Sequence, residues 1–337
     1  MIKIWLGVAV SAAALWLTLR DVDFATAWAA AQTLNPIWLV PYFLIVFAEV
    51  VIRGWRWQLL LAPVQRASLL GLTSATFIGL MANNVLPARA GEFLRAYAGA
   101  RSEKIPFSTC FATVVIDRIF DGLTASAIFV GVILLFPLPD LWKVSGYAAA
   151  GIYIIALIAL IGLIWQHDAT LKLVGFLLRF LPHRFSARIL GWLGAFVTGL
   201  GVFRSPLLLL GSSLLSIVIW FGYGLTLYFI WLAFDLHLPL SSAFVVLLMV
   251  TVGITLPSTP GFAGVMELAI VTGMNELFGV DRSTAFAVAV VYHVTQFVPI
   301  TLAGFVALWL DRMTLADIRH VEEESEKKQP DAAASPL

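Results

Sequence analysis

The chain has a single cysteine, Cys110, so no disulfide can form within it. Charge is scarce: Asp, Glu, Lys and Arg make up 12% of the residues, against about a quarter in an ordinary soluble domain. The formal net charge of +1 excludes a strongly basic nucleic-acid binder. There is no phosphate-binding P-loop, no dinucleotide fingerprint, no His/Cys cluster at metal-ligand spacing and no Gly-x-Ser-x-Gly elbow. Nothing in the sequence therefore calls for a metal or an organic cofactor. Asp21 and Asp23 form an Asp-x-Asp pair, and two neighbouring acids of this kind read as solvated loop residues. Cys110 reads as small apolar filler.

What is abundant is apolar sequence, 61% of the chain. Several runs reach the roughly 20 residues that cross a bilayer. The expected fold class is an all-α polytopic membrane protein. Six full spans are expected at about 2–19, 37–60, 106–137, 146–165, 206–234 and 283–310. Residues 187–203 are expected to form an interfacial helix. One transmembrane domain would occupy 1–312, and 313–337 would be a partly disordered tail. Placing the N-terminus in the cytoplasm leaves seventeen Lys and Arg in cytoplasmic segments and three (Arg20, Lys143, Arg282) outside. That bias sets a multi-pass orientation in the cell (inner) membrane with both termini cytoplasmic. Trp55, Trp57, Trp142, Trp165 and Trp309 fall near the span ends, where interface anchors belong.

Two apolar stretches are different. Residues 68–82 and 242–256 are short for a span, and each runs into a break followed by a second helical piece. The breaks read "LPARAGE" (Leu86 to Glu92) and "LPSTPGFAGVME" (Leu256 to Glu267). Pro87 and Pro257 end the preceding helices, because the residue before a proline is pushed out of the helical region. Gly91, Gly261 and Gly264 allow close backbone approach, and Pro260 adds a second turn signal. Segments 68–97 and 242–277 are thus expected to be re-entrant, entering from opposite sides as an inverted repeat. A new helix starts after each break, with unpaired N–H groups that favour an anion. Two readings stand side by side: Glu92 and Glu267 cap these starts internally, or an anionic ligand shares them.

The membrane-proximal charges form a compact set. Glu49, Arg53 and Arg56 share one helix face, as do Arg89, Glu92 and Arg95. Asp117, Arg118 and Asp121 open the third long run. With Glu267 the set has five acids and five bases, enough to neutralise itself as a structural network. The alternative is a phosphate-headgroup site. There, Arg89 and Arg95 bind phosphate, Asn83 and Asn84 donate, Asp117 and Asp121 hold the arginines, and Arg53 and Arg56 flank the approach. Tyr97, His293 and Gln296 are further candidates. His293 is equally well read as a packed core residue.

The stretches "NNVLPARAGEFLRAY", "VVIDRIFDGL" and "LPSTPGFAGVMEL", in this order, resemble a flippase-like membrane-domain family. That family includes the transmembrane region of bacterial lysylphosphatidylglycerol synthases. The resemblance runs over about residues 5–312. Two positions depart from its pattern: Asp117 stands where Glu is more frequent, and Phe262 where a second glycine is common. The resemblance implies a short form without the soluble synthase domain, since 26 residues follow Asp311. It also implies a non-enzymatic lipid translocator whose partner is a membrane lipid with an anionic or phosphate headgroup. Lipid-biosynthesis enzymes are further expected partners, and nucleic acid is not. A membrane-embedded transferase acting on a lipid phosphate, or a scaffold in an envelope-lipid pathway, is the alternative. Nothing in the sequence specifies an oligomeric state.

Overall fold

A computed structural model describes residues 2–86, 90–135, 140–165, 200–255 and 258–313. All regular structure among the described residues is helical. Helix α1 spans Ile2–Leu19, an unbroken apolar run that stops at the polar Arg20 and Asp21. A short helix, α2 (Phe24–Gln32), follows, where no element was expected. Asp23 starts it by accepting hydrogen bonds from the Ala25 N–H and the Thr26 hydroxyl. This is ordinary N-cap chemistry and accounts for half of the Asp-x-Asp pair. Asp21 sits 2.9 Å from Arg20 at the surface.

Helix α3 (Leu39–Leu61) follows a 3₁₀ turn whose first turn Asn35 caps. Helix α4 (Leu69–Val85) starts at Ser68, whose hydroxyl accepts from the Gly71 N–H. Helix α5 (Gly91–Glu103) runs back against α4 and ends at Lys104 in the left-handed region, φ 56°. Helices α6 (Phe107–Leu135) and α7 (Asp140–Trp165) pack on each other. Helix α8 (Pro206–Ala233) has proline in its first turn, where a missing N–H does no harm. Helix α9 (Leu240–Gly253) and helix α10 (Val265–Thr272) form a second hairpin around a break. A π-helical turn, Gly273–Leu277, continues α10. Helix α11 (Arg282–Leu310) carries Pro299 in its interior, which removes one ladder hydrogen bond.

The expected long runs correspond to α1, α3, α6, α7, α8 and α11, each within a few residues except at the start of α7. Among the described residues, Pro36–Leu61, Pro206–Ala233 and Arg282–Leu310 are long and apolar enough to cross a membrane. The expected interfacial helix 187–203 lies outside the described residues up to 199, and Leu200–Arg204 forms a 3₁₀ turn. Residues 314–337 also lie outside them.

Packing centres on α3, which lies along α8 and also contacts α4 and α6. Helix α4 contacts α5 and α11, and α1 lies over α10. The α4–α5 pair is joined by two glycines. A methyl group on Gly91 would stand 2.1 Å from the Gly79 carbonyl oxygen, and one on Gly79 would stand 2.9 Å from that of Gly91. The two backbones touch with no side chain between them.

One expectation is overturned here. Trp57 is not an interface anchor: it is wholly buried, and its indole N–H donates to Thr113 at 2.8 Å. It faces inward because a glycine lies opposite it. A methyl group on Gly99 would fall 2.4 Å from the Trp57 ring. Trp55, two residues earlier, points outward at 49% exposure, as does Trp309 at 77%.

Candidate functional site

The charged residues gather where α3, α5 and α6 meet. Their spacing along each helix puts them on inward faces, and each helix contributes opposite charge to a neighbour. Asp117 is fully buried between two arginines: Arg56 Nε lies 2.7 Å from its Oδ1, and Arg95 Nη1 donates to its Oδ2 at 2.6 Å. Arg56 also donates from Nη1 to Asp121 Oδ1 and to the Ser216 hydroxyl of α8, both at 2.7 Å. Arg53 reaches Asp121 only at 3.6 Å and lies over the Tyr223 ring, 5.4 Å from its centre. Arg95 stacks on Trp57 at 4.4 Å, which explains why that tryptophan is buried. Arg118 is the most open of the four arginines, 38% exposed, and lies within 3.3–3.6 Å of Asp121, Asp117 and Glu92.

Four arginines therefore face three carboxylates in this network. Glu49 is a fourth acid, one turn from Arg53. It is 5% exposed, and its Oε1 has no hydrogen-bond partner among the described residues. Gly222 makes room for it, since a methyl group there would stand 2.5 Å from Oε1.

The two helix breaks are built differently. At the first, Asn83 holds the start of α5: its Oδ1 accepts from the Gly91 N–H at 3.0 Å, and its Nδ2 faces Glu92 at 3.4 Å. Asn84 donates to Thr301 of α11 at 2.9 Å. Pro87 and Arg89 lie outside the described residues. At the second break, Pro260 opens a 3₁₀ turn in which Gly261 has φ 73° and Phe262 φ 62°. The left-handed region disfavours a bulky side chain, so a glycine would sit more easily at Phe262. Gly264 has φ 86° and starts α10. The Glu267 Oε2 accepts from the Gly264 N–H at 2.7 Å, which is half of a capping box, because glycine has no side chain to return the bond. The Glu267 Oε1 lies against Nδ1 of His293. Helix α1 clamps this break: the Ser11 hydroxyl accepts from the Thr259 N–H at 2.9 Å.

A cavity of about 140 Å³ lies between the second break and α3, α4, α8 and α11. Its polar lining is Glu49, Arg53, Asn84, Tyr223, His293 and Gln296, and Gly261 forms part of the wall. The apolar lining includes Val46, Leu80, Phe262, Met266 and Phe297. The sequence candidates thus fall into three groups. Arg56, Glu92, Arg95, Asp117, Arg118 and Asp121 join the ion network. Asn84, Gly261, His293 and Gln296 line the cavity, and Arg53 belongs to both. Asn83, Pro260, Gly264 and Glu267 shape the breaks. Tyr97 is half-buried against the core around Trp57 and does not line the cavity. Sequence reasoning missed Tyr223 and Ser216, which sit on a span with no charge to mark it. It gave Glu49 no separate role, although its spacing to Arg53 was visible.

This arrangement, buried ion pairs and a cavity with a few polar groups inside apolar helices, defines an α-helical membrane protein. The chain belongs to the family of the lysylphosphatidylglycerol synthase TM region, which matches residues 4–304. It is similar to a protein named glycosyltransferase AglD from Haloferax volcanii, 26% identical over 95% of this chain. It spans only 56% of that protein's length. The UPF0104 membrane protein MJ1078 of Methanocaldococcus jannaschii is 29% identical over 68% of this chain and 93% of its own length. A UPF0104 membrane protein of Methanothermobacter thermautotrophicus is 27% identical over 79% of this chain and 83% of its own. No solved structure matches the chain.

Proposed function

We propose that the chain carries a phosphate-bearing amphiphilic lipid between membrane leaflets. The observation that carries this reading is the cavity beside the second helix break, largely apolar but with Glu49, Arg53, Asn84, His293 and Gln296 in its wall. Non-helical backbone at membrane depth requires burial in protein or a wet cavity, and here Gly261 and Phe262 of the second break adjoin one, with Asn84 near the end of α4. The packing order supports an inverted repeat. Helix α3 contacts α4, and α5 contacts α6; likewise α8 contacts α9, and α10 contacts α11, while α3 and α8 pack together. In this reading six helices cross the membrane of the cell, two hairpins are re-entrant, and both termini are cytoplasmic. The headgroup occupies the cavity while the acyl chains stay in lipid. Rocking of one repeat against the other exposes the site to each side in turn.

A second reading is favoured by one observation, the name glycosyltransferase carried by AglD. On it, the same cavity holds the lipid substrate of a membrane-embedded transferase.

The test is leaflet-to-leaflet movement of labelled phospholipid and polyprenyl-phosphate lipids in proteoliposomes, with wild type and Glu267→Gln. Movement by wild type that the folded variant loses supports translocation. Turnover of a lipid-linked donor by purified protein, without movement, favours the transferase.

A further inference from the structure

We infer that the part of the lipid read by the cavity is a neutral, hydroxyl-bearing group, a glycosyl or polyol, rather than the phosphate itself. This rests on the reading of the cavity as a lipid headgroup site. The first argument is the disposition of the arginines. Arg56 and Arg95 are buried and each lies within 2.7 Å of a carboxylate, so neither is free to bind phosphate. Among the described residues Arg53 is the one arginine in the cavity lining, and Glu49 lines the same cavity one turn away. A phosphate placed there would meet a carboxylate as well as a guanidinium. A single guanidinium beside an acid, with no second cation in the described lining, is a poor match to a phosphate.

The second argument is the pair of unsatisfied atoms. Glu49 Oε1, an acceptor, and Arg53 Nε, a donor, are both buried without a hydrogen-bond partner among the described residues. Such atoms are costly unless something completes them. Glu49 and Arg53 are 5% and 6% exposed. A site offering a donor and an acceptor on adjacent turns suits a ligand that both donates and accepts. A hydroxyl does both, and vicinal hydroxyls do so at neighbouring positions. Asn84 and Gln296 add amides, which have the same dual character. Tyr223, Phe262 and Phe297 supply flat apolar walls for the carbon face of a ring. A bare ammonium would satisfy Glu49 but would face Arg53.

The experiment measures binding and needs no movement. Full-length protein is purified in a detergent without sugar groups and placed in phosphatidylcholine nanodiscs. These contain equal mole fractions of hexosyl-diacylglycerol, phosphatidic acid and phosphatidylethanolamine, and retained lipid is counted by native mass spectrometry. Wild type is expected to retain the hexosyl lipid at least about tenfold over the other two, a difference near 1.4 kcal/mol. Glu49→Ala should bring the ratio close to one. Glu49→Gln keeps an acceptor of the same shape, so the hexosyl lipid should still bind in preference to the other two. A wild-type preference for phosphatidic acid or phosphatidylethanolamine overturns the inference. So does a hexosyl preference that Glu49→Ala leaves unchanged. Lipid movement without this preference would leave translocation standing and remove the inference. The preference without movement would do the reverse.

Discussion

Arg56 Nε lies 2.7 Å from Asp117 Oδ1, and both side chains are wholly buried. They belong to helices far apart in sequence, so the contact ties α3 to α6 at the centre of the network. Removing one partner leaves the other charge stranded, which typically costs about 3–5 kcal/mol. Arg56→Ala and Asp117→Asn are each expected to lower the thermal midpoint sharply in detergent. The double replacement Arg56→Met with Asp117→Leu should be less damaging than the two singles combined, because the pair goes together, yet stay well below wild type, because Arg95 and Asp121 lose their closest partners.

Gly99→Ala tests the burial of Trp57. The added methyl would overlap the indole ring. Overpacking of this kind costs about 1–3 kcal/mol. The expected result is a lower midpoint together with a red-shifted tryptophan emission. A midpoint and spectrum equal to wild type would place Trp57 at the interface after all.

Gly264→Ala tests the second break. Its φ of 86° and the Ser11 carbonyl oxygen, 2.6 Å from an added methyl, both oppose a side chain. Strain of this sort costs about 1–3 kcal/mol. Ser11→Ala removes only the hydroxyl's two hydrogen bonds to Thr259 and should cost about 1 kcal/mol. Thermal unfolding of the two variants should rank them in that order.

Glu267 and His293 should be coupled. A cycle of Glu267→Gln, His293→Ala and the double variant is expected to give an interaction energy of about 0.5–3 kcal/mol in unfolding measurements. Additive effects would mean that the contact contributes nothing.

Asp23 gives a pH prediction. The Thr26 hydroxyl and then the Ala25 N–H hold its carboxyl below the usual carboxylate range. A lowered folded-state pKa means the contribution is fully present above the unfolded value. It is lost as pH falls through the depressed one. The protection factors of the α2 amides, corrected for the intrinsic pH dependence of exchange, should therefore fall on acidification in wild type. In Asp23→Asn they should stay flat over the same window.

Much of the helical layout was legible because apolar run length and helix breakers are local properties. The long helices followed from the runs, and the Leu-Pro, Gly and Glu signals marked both breaks. The short helix α2 was missed although Asp23 precedes an alanine-rich stretch, because nine residues are too few to show periodicity. The site was half legible. The spacing of Glu49, Arg53 and Arg56 placed them on one face, but not which carboxylate each would meet. Arg56 meets Asp121 65 positions away, a relation that no local pattern carries. Trp57 was misread for the same reason: its burial depends on Gly99 and Arg95 of another helix.

The glycine contact between α4 and α5 bears on how the molecule can move. Gly79 and Gly91 place carbonyl against backbone, and the Arg95 and Asn83 side chains close in beside them. Asn83 adds a stitch to the start of α5. Two helices seated this closely favour moving together, so a displacement of one would bear on the helices packed around both, α3, α6 and α11.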